Sequence, residues 1–157
     1  MNIVPISMLT RYMLPLLLKK KSCIINLSSF SSYSALVGGA GYSSSKLYDD
    51  FFSRALAYEN KNKIDILSFK PLLVSTPLTR NMSSLLTINK NQCVKGSLKA
   101  VGWSDETFGH LSHHIQAQIC LLVPKYMLEF FGNLYWKWFT SFSHEKNPTY
   151  TPVKQNP

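Results

Sequence analysis

Apolar residues recur in helical rhythm at Met8, Leu9, Tyr12, Met13, Leu16 and Leu17, which predicts a helix over residues 3–18. Lys19, Lys20 and Lys21 follow and suit the negative end of its dipole. The next stretch, SCIINLSS at 22–29, is a short, apolar, β-branched run of the kind that makes a strand buried on both faces. A small-residue loop, SFSSYSALVGGAG, leads to a second helical pattern over 42–58, where Leu47, Phe51, Ala55 and Leu56 form the apolar stripe. KIDILSFKP is a second buried strand, stopped by Pro71. Strand, helix and strand in that order build a parallel sheet, because a crossover helix lets two strands run the same way. The fold class is therefore α/β.

Beyond Pro71 the pattern predicts a loop through LLVSTPLTRN, a helix within 85–101 after an irregular start, and one further short strand at GHLSHHI. Residues 119–142 are the most hydrophobic. Pro124, Lys125, Glu129 and Lys137 interrupt them, so they fit an interfacial or packed amphipathic segment better than a bilayer span. EKNPTYTPVKQNP is polar and proline-punctuated, which predicts disorder. The chain thus divides into an α/β part at 1–118, an aromatic segment at 119–142 and a tail at 143–157.

A length of 157 residues with 45% hydrophobic content allows one domain with its own core. The net charge of +9 favours anionic partners. No helix-turn-helix, zinc-finger or RNP-type signature accompanies it, so no nucleic-acid partner is implied. A nucleotide cofactor, an acyl-CoA, an anionic membrane surface or plainly solvated lysines account for the sign. Cys23, Cys93 and Cys120 are too widely spaced for a disulfide framework or a CxxC site. His110, His113 and His114 lack acidic or cysteine neighbours at ligand spacing, so no metal is expected. The MLPLLL run ends in lysines without a cleavage site and is no secretory signal.

The chemistry concentrates in GGAGYSSSKLYDDFF, where three readings compete. A phosphate loop fails on spacing, since Gly38, Gly39 and Gly41 are followed by tyrosine and Lys46 lies a full turn into the helix. Coincidence is serious: 8 tyrosines and 14 lysines give about 0.7 YxxxK matches by chance. Tyr150 and Lys154 also match, yet Pro152 stands between them. In YSSSK, however, Tyr42 and Lys46 stand at i and i+4 on one helical face. A phenol is a poor proton donor at neutral pH, and a nearby ammonium favours its ionised form. Ser29 ends the preceding strand, 13 residues before Tyr42, where parallel sheets place their ligands.

With these residues the sequence resembles the short-chain dehydrogenase/reductases, whose signature is a strand-end serine followed by a YxxxK pair. Asn2 aligns with the family's helix asparagine, and KPLLVSTPL resembles the loop that reaches the nicotinamide, with Pro71, Val74 and Thr76 at matching positions. NLSSFSS, YSSSKLYDDFFSRAL and CVKGSLKAVGWSDETFGHLSHHIQAQI are similar to the very-long-chain 3-oxoacyl-CoA reductases and 17β-hydroxysteroid dehydrogenases. Leu72, where most of the wider family has glycine, agrees with that subgroup.

The resemblance implies a partial Rossmann-like, doubly wound parallel sheet and an NAD(P)-dependent ketone reductase, NADP(H) being favoured. Tyr42 would donate a proton to the substrate carbonyl, Ser29 would hydrogen-bond the same oxygen, Lys46 would hold the cofactor ribose, and Asn2 would position a relay water. Pro71, Val74 and Thr76 would contact the cofactor. A small-molecule ketone or acyl-CoA substrate, lipid metabolism and the cytosolic face of the endoplasmic reticulum membrane follow from the resemblance; a cytoplasmic enzyme is the alternative. No TGxxxGIG cofactor loop is present, and Met1 stands one residue before the aligned asparagine. The dinucleotide-binding half is therefore expected to be missing, and this polypeptide alone to bind dinucleotide poorly. A homodimer and a separate amino-terminal half are the protein partners expected, besides a membrane surface. The alternative function is a non-catalytic interaction or membrane module.

Overall fold

The computed structural model describes residues 3–144 except 37, 78 and 80, and at 136 and 138–144 the backbone alone. The elements run α1 (Ile3–Leu17), β1 (Cys23–Leu27), a 3₁₀ turn (Phe30–Tyr33), α2 (Ala40–Glu59), β2 (Asp65–Phe69), α3 (Lys90–Ala100), β3 (Glu106–Thr107), α4 (Leu111–Leu122) and α5 (Lys125–His144). The three strands form a parallel sheet in the order β1-β2-β3. Cys23 pairs with Asp65 and Leu27 with Phe69, so β1 and β2 end level with each other. The α/β class and parallel crossover expected from the strand–helix–strand order are present.

Two corrections concern burial. β2 is buried on both faces after Asp65, as its apolar run predicts, but β1 alternates between exposed and half-buried positions. The reason is neighbourhood: β2 has a strand on either side, whereas no described strand pairs with the outer edge of β1. Ile6, Leu9 and Met13 of α1 and the strand residues Ile24 and Asn26 line an open groove of about 560 Å³ along that edge. The second correction is the stripe on α2. Leu47 and Phe51 are exposed, and the buried residues are Ser43, Ser45, Asp49, Asp50, Ser53 and Ala57. Small side chains let the helix lie close to the sheet. The hydroxyls of Ser43, Ser45 and Ser53 turn back onto the carbonyls of Gly39, Tyr42 and Asp49, so burial leaves them satisfied.

The predicted strand at GHLSHHI is the start of α4. Gly109 takes a positive φ of 83° and His110 caps the helix, its Nδ1 accepting from the Ser112 N–H at 3.2 Å. The strand of this region is Glu106–Thr107, too short to show alternation. α3 starts at a capping box formed by Asn89 and Gln92, which explains the irregular stretch before it. Its Gly96 packs so closely on Gly109 that an added Cβ would lie 2.6 Å from that backbone. Behind Gly109 stands the Phe69 ring, so this glycine contact closes one end of the core formed by Phe69, Ile88 and Cys93.

The aromatic region is two helices broken at Pro124. On α5, Tyr126, Phe130, Phe131 and Leu134 are exposed, while Gly132 sits against Ser34 and Leu36 of the loop before α2. Among the described residues no helix is long and apolar enough to cross a membrane. The side chains of Trp136, Trp138 and Phe139, and the predicted disordered tail from 145 onward, lie outside what is described.

Candidate functional site

The carboxyl ends of β1 and β2 are joined beyond their last ladder pair. The Ser28 N–H donates to Phe69 O at 2.8 Å, and the Phe30 N–H donates to Pro71 O at 3.1 Å. Ser29 lies between these bonds in extended backbone (φ −161°, ψ 157°). There it caps the 3₁₀ turn, its Oγ accepting from the Ser31 N–H at 3.2 Å. That contact uses an oxygen lone pair and leaves the hydroxyl hydrogen available for another acceptor.

Helix α2 is stitched to the same strand end from both directions. The Ser28 hydroxyl donates to the Lys46 carbonyl at 2.7 Å, and the Lys46 ammonium donates to the Leu27 carbonyl at 2.7 Å. Lys46 also donates to Asp49 Oδ2 at 3.1 Å, one turn further on. Tyr42 lies in the first turn of α2, one turn before Lys46, and is 41% exposed, so its ring has surface with which to meet a ligand. Ser29, Tyr42 and Lys46 thus stand on two elements pinned together at Leu27 and Ser28.

Pro71, Val74 and Thr76 follow β2 on a half-buried segment. Pro71 is tied to the serine turn, and Val74 forms a parallel bridge with Ile88. Thr76 is locked in a turn in which its N–H donates to Thr79 Oγ1 at 2.9 Å. Asn2 lies outside the described residues.

Sequence reasoning passed over the acidic neighbours. Asp49 holds Lys46, and Asp50 enters a buried polar cluster, accepting from the Ser68 hydroxyl at 2.6 Å and from Arg54 at 3.0 Å. Its centre is Lys70, fully buried, which donates to the Tyr33 hydroxyl at 2.6 Å and to Glu106 and lies 3.3 Å from Asp50. The rings of Tyr33 and Phe108 flank the ammonium at 4.8 and 5.6 Å. Burial alone pushes the Lys70 pKa down, but the bonds to Glu106 and Tyr33 and the charge of Asp50 outweigh it, and the value stands above the ordinary one. Because Tyr33 closes the turn that Ser29 begins, this cluster fixes the serine turn from below. The local signal was two acids set among the apolar residues of LYDDFF and a lysine at the end of a strand, but their pairing could not be read from it.

The three histidines have separate tasks. His110 caps α4, His114 Nε2 lies 3.1 Å from Thr107 Oγ1, and His113 is wholly buried against the segment after Pro71. Among the described residues no group of His, Cys, Asp and Glu could hold a metal ion.

Comparison with known proteins agrees with this architecture. The chain is 33% identical over 133 residues to a Caenorhabditis elegans protein named "Putative steroid dehydrogenase 4", covering 83% of this chain and 51% of that one. It is 32% identical over 129 residues to the very-long-chain 3-oxoacyl-CoA reductase of Mus musculus, covering 80% and 41%. With the mouse 17-beta-hydroxysteroid dehydrogenase type 3 it shares 35% over 107 residues, covering 68% and 35%. The chain therefore spans about half the length of these relatives or less. A solved structure from a study of 7beta-hydroxysteroid dehydrogenase stereoselectivity superposes with a TM-score of 0.73 at 15% identity, over 83% of this chain and 55% of that one. The family profile described as short chain dehydrogenase matches residues 1–86, and the chain belongs to that family.

Proposed function

We propose that the chain supplies the catalytic side of an NAD(P)-dependent oxidoreductase that interconverts a ketone and an alcohol, the substrate being a 3-oxoacyl-CoA or a steroid ketone. The observation that carries this reading is the double stitch between Lys46 and the Leu27–Ser28 strand end, which brings the Tyr42–Lys46 helix to the serine turn. The residues suit a dinucleotide. Asp49 Oδ1 is buried without a hydrogen-bond partner, so with the Lys46 ammonium it offers a ribose hydroxyl one acceptor and one donor. When bound, the dinucleotide supplies or accepts the hydride.

Each protein group then has one task. Tyr42 donates its phenolic proton to the carbonyl oxygen, and Lys46, one turn further along the helix, would hold the ribose. Ser29, with a hydroxyl hydrogen to spare, donates to the same oxygen as negative charge gathers there. Pro71, Val74 and Thr76 would hold the nicotinamide side of the dinucleotide. NADP(H) as the dinucleotide, a cytosol-facing endoplasmic reticulum membrane and lipid metabolism are part of the same proposal, made on the resemblance to the very-long-chain 3-oxoacyl-CoA reductases.

The test joins the chain to a dinucleotide-binding half and follows consumption of NADPH with a 3-oxoacyl-CoA and with a steroid ketone. Turnover is expected with one of them, and Tyr42→Phe should lower kcat by about 10²- to 10⁴-fold while the fold is kept. No turnover with either class, or an unaltered rate in the variant, removes the reading.

A further inference from the structure

The segment after β2 makes no ladder of its own until Val74 meets Ile88. Between them Pro71 O accepts from the Phe30 N–H at 3.1 Å and Leu73 O from the Ile88 N–H at 3.2 Å, and one side chain meets both the Leu72 N–H and Leu73 O. His113, 0% exposed on α4, accepts the Leu72 N–H on Nδ1 at 3.3 Å, and its Nε2 lies 3.2 Å from Leu73 O. A carbonyl can only accept, so Nε2 must carry the hydrogen, while an N–H can only donate, so Nδ1 must be bare. The two contacts coexist in one species alone, the neutral ring protonated on Nε2. An imidazolium would point a second N–H at the Leu72 N–H.

We infer that His113 is a positioning residue, a neutral clamp that grips Leu72 and Leu73 from α4 and so fixes the 71–76 segment on which the dinucleotide is proposed to rest. This rests on the reading of the segment given under Proposed function. The Leu72 amide is held by a side chain 41 residues away in the sequence, on α4.

The clamp is pH-sensitive in a defined direction. Burial pushes the His113 pKa below its ordinary value, the carbonyls of Leu73 and Phe108 pull the other way, and His110 and His114 push it further down. Those two histidines are the ionisable groups acting on it, and residues 71–76 contain none. A folded-state value below the unfolded one means that the unfolded chain binds more protons. The contribution of His113 is therefore whole above about pH 6.5 and is lost as pH falls from there through the folded value.

The test has two arms. In the 157-residue chain, amide exchange at Leu72 should be slow at pH 7.5 and lose its protection on acidification, as the ¹⁵N signals of the His113 ring pass from the Nε2–H tautomer to imidazolium. His113→Leu should speed exchange at Leu72 about tenfold or more. His113→Gln, which keeps one donor and one acceptor, should restore protection without the pH dependence. In the chain joined to a dinucleotide-binding half, His113→Leu should raise KM for the dinucleotide about tenfold with little change in kcat, and His113→Gln should recover it. Leu72 exchange that ignores both pH and His113→Leu overturns the clamp. Should His113→Leu fail to fold, wild type is compared with His113→Gln instead, and identical acid responses of the two overturn the clamp. Normal Leu72 behaviour with an unchanged dinucleotide KM overturns its role in cofactor positioning. An inactive wild-type assembly overturns the reductase reading and leaves the clamp to be judged by exchange.

Discussion

Strands β1 and β2 are five residues each and lie side by side in register, yet they live in different solvents. Leu67 in β2 is 1% exposed, and Leu27, two residues further along in β1, is 58% exposed. Local sequence barely separates CIINL from DILSF. What separates them is cover. β2 has strands on both sides, α2 and α3 over it and a buried lysine at its end, whereas β1 has one strand neighbour and a half-open groove. Burial is thus a property of the neighbours a strand acquires, and a periodic pattern reports only what the strand could tolerate.

The contrast can be broken or sharpened by substitution, with stability read from chemical denaturation. Lys70→Met should cost the most, about 4 kcal/mol, because it leaves Asp50 buried beside Glu106 without the central cation. A neutral result would mean that the ion cluster merely fills space at the end of β2. Leu67→Ala should follow at about 3 kcal/mol, the range for emptying a closed core site. Gly96→Ala should cost about 2 kcal/mol, since the new methyl meets the Gly109 backbone and forces α3 off the Phe69 end of β2. Leu27→Ala should cost less than about 0.5 kcal/mol, as at other open surface positions. A cost at Leu27 equal to that at Leu67 would show that β1 is covered in solution and would abolish the contrast.

The strand–helix–strand order, the stop at Pro71 and the place of Tyr42 and Lys46 on their helix were legible, because each depends on residues close in sequence; Ser29, expected to end β1, instead lies two residues beyond it as the cap of the 3₁₀ turn. The buried face of α2 was not. Ser43, Ser45 and Ser53 look like surface residues until their hydroxyls are seen bonded to their own helix, and the apolar Leu47 and Phe51 point the other way. GHLSHHI misled for a related reason. The alternation of leucine, histidine and isoleucine fits a strand, but the positive φ of Gly109 and the capping ring of His110 turn the chain into a helix. The roles of Lys70 and His113 depend on contacts spanning 36 to 41 residues, which no local pattern encodes.

The paired bonds from Ser28 to Phe69 and from Phe30 to Pro71 carry a practical consequence for redesign. They tie the two loops at the carboxyl end of the sheet to each other through main-chain atoms, so a swap of either loop is constrained by the backbone path of the other. A graft of residues 28–34 keeps both crosslinks only if its backbone holds the same spacing from 69–71 and places no proline at 28 or 30, and exchanging 28–34 together with 69–76 keeps that spacing by construction.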